Sequence, residues 1–323
     1  MNVLIVGLGS SGQRYARVLR EMSPQYRIMV YRGEHRMGLI NKSLKEINLN
    51  IDPVSYYNLE ELSWIETCKR DYQLVIICTP VESHLHYARS LYQRSEKLIV
   101  EKPLCMSQGE IEEFHQIYGL MRGKLLVGYQ HFYNPIFVEV SKQYASMKFA
   151  REIQISYLEP LAEMNPFRDM STHHLSSPRG GGAMLALSHE LDFLFRLEPE
   201  IFGKLSTSVG ISMIHSKNRD SYTLRSNLQV GNVRSLDVKL SFAPGKNERW
   251  GFISDGQLEI SWDLKAKSIA KRHAGIKETF TFEYSSDGLV RDLLESYISN
   301  EISSIESDKR FNRAKQIVEL QLL

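Results

Sequence analysis

The sequence predicts two α/β domains: a doubly wound parallel sheet at the N-terminus, then a second domain built on a large, mainly antiparallel sheet. Three observations carry this expectation. Short apolar runs alternate with helical stretches six times within the first 130 residues, the rhythm of strand–helix–strand units. The first run, residues 3–6, passes directly into Gly7-x-Gly9-x-x-Gly12 and then a helical segment. Beyond residue 150 the rhythm changes to strand-length segments, several alternating apolar with polar residues, as antiparallel sheets with one solvated face do.

With 323 residues, of which 42% are hydrophobic and 24% charged, the chain is long enough for two cored domains and too apolar for disorder. A domain boundary is expected at 125/126: residues 1–125 bind a dinucleotide, and 126–323 carry substrate binding and oligomerisation. The C-terminal helix is free to return to the first domain. Forty Lys+Arg against 38 Asp+Glu leave a net charge of +2, which favours neither nucleic acid nor a membrane surface as partner. The three cysteines, Cys68, Cys78 and Cys105, form no metal-binding or CxxC spacing. With an apolar strand beginning at residue 3 and no signal peptide ahead of it, a reducing cytoplasm is expected. No apolar run has the length of a bilayer span.

Residues 3–6 form a short apolar run of the kind buried on both faces of a parallel sheet. Gly7 permits the tight turn that follows, Gly9 lets backbone approach a phosphate, and Gly12 lets helix and strand pack closely. The helix over residues 13–22 then offers unpaired N–H groups and a positive dipole end to an anion. Ser10 and Ser11 lie within this turn and join the glycines as cofactor-binding candidates. Residues 27–31 make the second strand. About 20 residues beyond the glycines, where an acidic residue bonds the ribose hydroxyls of NAD, stands Arg32, with Arg36 close by. A guanidinium there suits a 2′-phosphate, so NADP(H) is expected in preference to NAD(H); a solvated Arg-rich turn with NAD bound is the alternative. Residues 39–70 read as an irregular helix–loop–helix, with a helix opening over 58–62.

Residues 74–78 are a β-branched run and a buried strand, stopped by Thr79-Pro80 at the carboxyl end where open α/β sheets bind ligands. A helix over 83–93, a strand over 98–100, a helix over 108–120 and a strand over 125–129 complete the first domain. In the second, strands are expected over 152–158, 204–214, 221–230, 233–242, 250–254, 257–261, 267–272 and 278–284. Gly231-Asn232 and Asp255-Gly256 would make hairpins. Helices are expected over 183–197, 288–299 and 308–323.

Lys102 lies just past a buried strand, between Glu101 and Pro103. A lysine partly desolvated in a cleft can exchange protons with a substrate hydroxyl, and Glu101 could orient it; a surface turn is the ordinary alternative. In the second domain, three glycines at 180–182 precede a helix on which His189 and Asp192 share a face. His189 can serve as acid/base with Asp192 setting its tautomer; the alternative is a buried, satisfied histidine. His84 and His86, and His173 and His174, complete no familiar ligand spacing, so no metal is expected. No nucleophile elbow is present.

With these pieces placed, the chain resembles the Gfo/Idh/MocA family of NAD(P)-dependent oxidoreductases. Gly7-x-Gly9-x-x-Gly12, Cys78-Thr79-Pro80-Val81-Glu82-Ser83-His84, Glu101-Lys102-Pro103, Val127-Gly128-Tyr129-Gln130 with Pro135, and Gly180-Gly181-Gly182 leading to Ser188-His189-Glu190-Leu191-Asp192 follow in family order. The resemblance implies a Rossmann domain followed by an α/β domain whose open sheet pairs subunits into homodimers or homotetramers. It also implies hydride transfer between nicotinamide C4 and a carbinol or carbonyl of a sugar or sugar derivative. In that picture Lys102 and His189 are the catalytic pair, and Cys78, Thr79, Pro80, His84, Glu101 and Gln130 line the cofactor. Arg168, His173 and His174 lie on a loop closing over the substrate, which Asp192 also touches. The wording around His189 is similar to members associated with bacterial surface-sugar pathways. Two positions depart from the family: Ala186 or Leu185 replaces an aspartate upstream of His189, and Phe132 stands where relatives often carry Arg. A catalytically silent cofactor- or sugar-binding regulator, or a redox-neutral lyase or glycosidase holding NAD tightly, are the alternative functions.

Overall fold

The computed structural model describes residues 1–34, 36–43, 45–149, 151–164, 182–203, 214–217, 220–226, 233–242 and 245–322. The chain forms two units. One comprises Met1–Gln130 and Ser286–Leu322; the other runs from His131 to Met164 and through the described part of Met170–Ser285. The first unit thus extends to Gln130 and takes in the C-terminal helices.

In the first unit the strands are β1 (Asn2–Val6), β2 (Arg27–Tyr31), β3 (Leu39–Ile40), β4 (Ile47–Asn48), β5 (Glu60–Glu61), β6 (Leu74–Ile77), β7 (Leu98–Val100) and β8 (Leu125–Val127). Six of them form a parallel sheet in the order β5-β2-β1-β6-β7-β8. Val3–Val6 and Leu74–Ile77 are fully buried, as a central pair covered on both faces must be. The chain runs outward from β1 to β2 on one side and from β6 to β7 and β8 on the other. The order therefore reverses between β1 and β6, and the crevice at their carboxyl ends is where such sheets bind ligands. Helix Ser10–Met22 follows β1, and helix Ser286–Ile298 packs on it. Helix Ser304–Leu322 packs on β8 and on helix Gln108–Leu120, with Phe311 stacked on Tyr118 at 4.1 Å.

Three local expectations are corrected. The helix expected over 58–62 is instead the short strand β5, because Asn58 takes a left-handed φ of 51° that turns the chain back beside β2. The neighbouring helix is Trp64–Thr67, held by a capping box between Ser63 and Glu66. The stretch 39–70 also contains the β3–β4 hairpin. Helix Pro135–Ser146 goes unforeseen, although Asn134 caps it through Ile136 N and proline opens it.

The second unit contains β9 (Arg151–Leu158), β10 (Ile214–Lys217), β11 (Ser221–Ser226), β12 (Val233–Ser241), β13 (Glu248–Ser254), β14 (Leu258–Asp263), β15 (Ser268–His273) and β16 (Ile276–Thr281). They form one sheet in the order β10-β11-β12-β9-β13-β14-β15-β16. It is antiparallel except where β9 lies parallel to β12. Asp255-Gly256 does turn β13 into β14: Gly256 takes φ +87°, and Asp255 Oδ1 accepts from Gln257 N and Leu258 N. The helix expected over 183–197 is two, Gly182–Ala186 and His189–Leu197, separated by Leu187 and Ser188. The Gly231-Asn232 hairpin and most of the strand expected over 204–214 fall outside the described residues. No helix among the described residues is long and apolar enough to cross a membrane.

Candidate active site and dinucleotide cradle

The cradle begins where β1 ends. Gly7 has φ +92°, and a Cβ there would stand 3.0 Å from Cys78 O at the end of β6. A Cβ on Gly12 would stand 2.1 Å from Gly7 O, so the helix start closes on the turn only with glycine at that position. Gly9 is the N-cap of helix Ser10–Met22 and offers no side-chain cap. The first-turn N–H groups, those of Ser10 and Ser11 among them, are left for an anion. Buried Gln13 pins the next loop: its Nε2 donates to Leu8 O and Gly38 O, and its Oε1 accepts from Ile40 N.

Beside this turn, Gly7 N donates to Tyr31 O at 2.7 Å, so Arg32 leaves β2 alongside the glycines. The Arg32 guanidinium is bonded to the carboxylates of Asp52 and Glu61, and Arg36 reaches Glu61 at 3.2 Å. Burial works against the Arg32 charge, and the two carboxylates more than restore it.

At the end of β6, Cys78, Thr79 and Pro80 follow in line. Burial pushes the Cys78 thiol well above its ordinary range, with the Glu101 charge adding to the effect, so it stays a neutral thiol. Thr79 Oγ1 accepts from Ser83 Oγ at 2.8 Å. His84 is buried: Nε2 lies 2.9 Å from Thr79 O and Nδ1 3.0 Å from Pro103 O. It braces the loop after β6 against the loop after β7. Burial pushes its pKa down, and the carbonyls around it oppose that shift.

Past β7, the Glu101 carboxyl is buried and bonded by Tyr15 Oη at 2.8 Å. Burial raises its pKa, against Tyr15, Lys102 and Arg14, which favour the charge. Lys102 N donates to Glu101 Oε2 at 3.2 Å, and the Lys102–Pro103 peptide is cis. Gly128, after β8, lets this carboxyl in: a Cβ there would stand 3.0 Å from Glu101 Oε1. At the end of this segment the buried Gln130 Oε1 has no hydrogen-bond partner among the described residues. A buried amide oxygen of this kind calls for a donor, and a carboxamide N–H would supply one. The glycine turn, the uncapped helix and this acceptor fit a nicotinamide dinucleotide.

In the second unit His189 opens helix His189–Leu197 and is buried with Glu190 and Asp192. The ring of His131 lies 4.4 Å from that of His189. Arg249 links them to the sheet: Nε donates to Glu190 Oε1, Nη1 lies 3.4 Å from His131 Nε2, and the guanidinium covers the Tyr157 ring at 4.3 Å. The buried Arg249 Nη2 has no hydrogen-bond partner among the described residues. His131, Glu190 and Arg249 are absent from the sequence-based site. Arg249 has no local signature, since only the register of β13 against β9 sets it opposite Tyr157. Leu185 and Ala186, either of which takes the place where the resemblance leads one to expect an acid, are both buried at the end of helix Gly182–Ala186. At Phe132, a guanidinium arrives from elsewhere: Arg196 lies 4.9 Å over its ring and donates to Phe132 O and Phe137 O. Arg168, His173 and His174 lie outside the described residues.

A parallel sheet that switches order above a glycine cradle, joined to a unit with a large mixed sheet, defines a nucleotide-binding α/β protein of the Rossmann class. Residues 1–129 match the Gfo/Idh/MocA family model, described as an oxidoreductase family with an NAD-binding Rossmann fold. The uncharacterized oxidoreductase YhhX of Escherichia coli is 26% identical over 177 residues, 53% of this chain and 47% of that protein. The match thus spans about half the length of that relative. UDP-N-acetylglucosamine 3-dehydrogenase GnnA from Acidithiobacillus ferrooxidans superposes with a TM-score of 0.73 at 14% identity, covering 100% of this chain and 95% of that one. The biliverdin reductase of Synechocystis, solved with biliverdin and NADP+, gives 0.70 at 15%, covering 99% and 96%. At such identities these two structures show the fold alone.

Proposed function

We propose that the chain is an NAD(P)-dependent oxidoreductase moving hydride between nicotinamide C4 and a carbinol or carbonyl carbon of a sugar or sugar derivative. The observation that carries this reading is the meeting, at one carboxyl edge of the first sheet, of the glycine turn, Lys102 and the Gln130 acceptor that has no partner among the described residues. The dinucleotide, when bound, supplies the hydride chemistry. Gly7, Gly9 and Gly12 with the helix start hold the pyrophosphate, and Gln130 orients the carboxamide. Lys102 gives or takes the proton of the carbinol oxygen, a role of general acid–base catalysis. Glu101 positions Lys102 through its backbone N–H, and His84 fixes the loop on which both stand. His189 is assigned the relay role, held by His131, Glu190 and Arg249. Arg168, His173, His174 and Asp192 are assigned to substrate binding.

The sugar class is supported by the sequence resemblance and by GnnA, whose name gives a nucleotide-sugar substrate; a surface-polysaccharide pathway follows from the same resemblance, and a cytoplasmic setting follows from the cysteine usage. The open sheet of the second unit is assigned to pairing of subunits into dimers or tetramers. The sequence favours NADP(H) through Arg32 and Arg36, whereas the carboxylates paired with both arginines weigh toward NAD(H).

The test is a screen of sugars, cyclitols and nucleotide sugars with both cofactors, followed by nicotinamide absorbance. Turnover that Lys102→Ala lowers by about 10²–10⁴-fold with cofactor binding intact supports the reading. Full turnover by that variant sinks Lys102 as the acid/base. Ala186 motivates one other reading, a silent regulator, which would bind cofactor and turn over nothing in the screen.

A further inference from the structure

The charges at the end of β2 carry an inference about cofactor choice, and it rests on the dinucleotide reading of the first unit. Arg32 was expected to receive a 2′-phosphate, but its side chain is 7% exposed and already engaged. Nη1 and Nη2 meet the two oxygens of Asp52 at 2.6 and 3.2 Å. Nε and Nη2 meet the two oxygens of Glu61 at 3.0 and 2.9 Å. Those bonds take four of the five N–H donors that a guanidinium owns. Arg36 spends one of its own contacts on Glu61 at 3.2 Å. Two guanidiniums face two carboxylates, so the cluster has no net charge to offer an anion.

Both acids are fixed by their backbones. Asp52 is the N-cap of helix Pro53–Tyr56, accepting from Val54 N at 3.3 Å. Glu61 lies in β5, opposite Val30 of β2. A 2′-phosphate would have to pull Arg32 from one of them and then sit beside both negative charges. A ribose diol needs only acceptors, and an ionised carboxylate has about four lone-pair sites, of which Arg32 leaves several open. The acid that dinucleotide folds place on the second strand is thus supplied from two distant segments, with Arg32 as the clamp that aims them.

We propose that Asp52 and Glu61 are the specificity-determining residues of the cofactor site, and that they select NAD(H) over NADP(H). Arg32 then positions them and does not bind phosphate.

The experiment is calorimetric binding of NADH and NADPH to the full chain, for wild type, Asp52→Asn and Glu61→Gln, and the double variant. Wild type should bind NADH at least about tenfold more tightly. The double variant keeps side-chain shape but removes both negative charges that balance the guanidinium, and should move the ratio about 10- to 100-fold toward NADPH, the scale of one charge-assisted hydrogen bond gained. Wild type binding NADPH more tightly overturns the proposal while leaving the dinucleotide reading intact, and so does a ratio unmoved by the double variant. Failure of wild type to bind either cofactor overturns both. The wild-type ratio decides the direction even where a variant folds poorly.

Discussion

Replacing Tyr15 with Phe keeps a fully buried ring in place and deletes one atom, the hydroxyl that donates to Glu101 Oε1 at 2.8 Å. The consequence depends on the charge of Glu101. Burial holds the folded-state pKa of this carboxyl above its ordinary value, with Tyr15, Lys102 and Arg14 working the other way. A hydrogen bond to an ionised group contributes about 1.5–3 kcal/mol, and one between neutral groups about 0.5–1.5 kcal/mol. Tyr15→Phe should therefore destabilise the first unit modestly at about pH 4, where Glu101 is protonated, and by roughly 1 kcal/mol more at an alkaline pH past the folded value, where it is ionised. The sign follows from linkage. A carboxyl with a raised folded pKa contributes most below its unfolded pKa, and that contribution is lost as pH rises through the folded value. Removing the tyrosine donor raises the folded value further, about one unit per 1.4 kcal/mol, and deepens the loss on the alkaline side. Urea unfolding of both proteins across this range measures the difference directly. A penalty that is the same at both pH values, or largest in acid, would refute the assignment of Tyr15 as the donor that sustains the Glu101 charge.

Other perturbations test the frame around the site. His84→Ala removes the single N–H that neutral imidazole shares with the carbonyls of Thr79 and Pro103 and opens a cavity, so urea unfolding should show a loss of about 2–4 kcal/mol. Because burial depresses the imidazole pKa, the unfolded chain takes up the proton first; wild-type stability should fall as pH drops below about 6.5, and the variant should lack that part of the slope. Asp287→Asn breaks a bidentate pair in which Arg17 Nε and Nη2 donate at 2.7 and 2.8 Å, at a cost of about 3 kcal/mol. Burial tends to raise the Asp287 pKa, but Arg17 holds it low. Its contribution is complete above about pH 4 and fades as pH falls through the folded value, so acid titration should separate wild type from variant only on the neutral side.

Where chemistry is local, the sequence is legible. The run from Val3 through Gly12, the capped helix Gln108–Leu120 and the Asp255-Gly256 hairpin are each specified by residues within a dozen positions of one another. Glu101 and Lys102 are legible because they stand at the end of an apolar strand, and Gln130 only through the resemblance carried by the Val127-Gly128-Tyr129-Gln130 stretch. The rest depends on distance in the chain. Tyr15 meets Glu101 across 86 residues, and Arg249 meets Glu190 and His131 across 59 and 118; no spacing rule reaches that far. Arg32 shows the same limit. Its position by counting is right, but its partners Asp52 and Glu61 arrive by way of a short cap and the two-residue strand β5. Helix Pro135–Ser146 is the opposite case: its start signal is local, in the Asn134 cap and the opening Pro135, directly after the aromatic pair Phe132-Tyr133.

Calorimetric titration of wild type and Gly12→Ala with NADH and NADPH decides whether the turn after β1 holds a dinucleotide. A methyl at position 12 would stand 2.1 Å from Gly7 O, far inside contact distance, so the turn must open by more than the packing can absorb. Saturable binding of one cofactor per chain is expected for wild type and its loss in the variant, with circular dichroism showing the variant still folded. Equal binding by both proteins, or none by wild type, would contradict it.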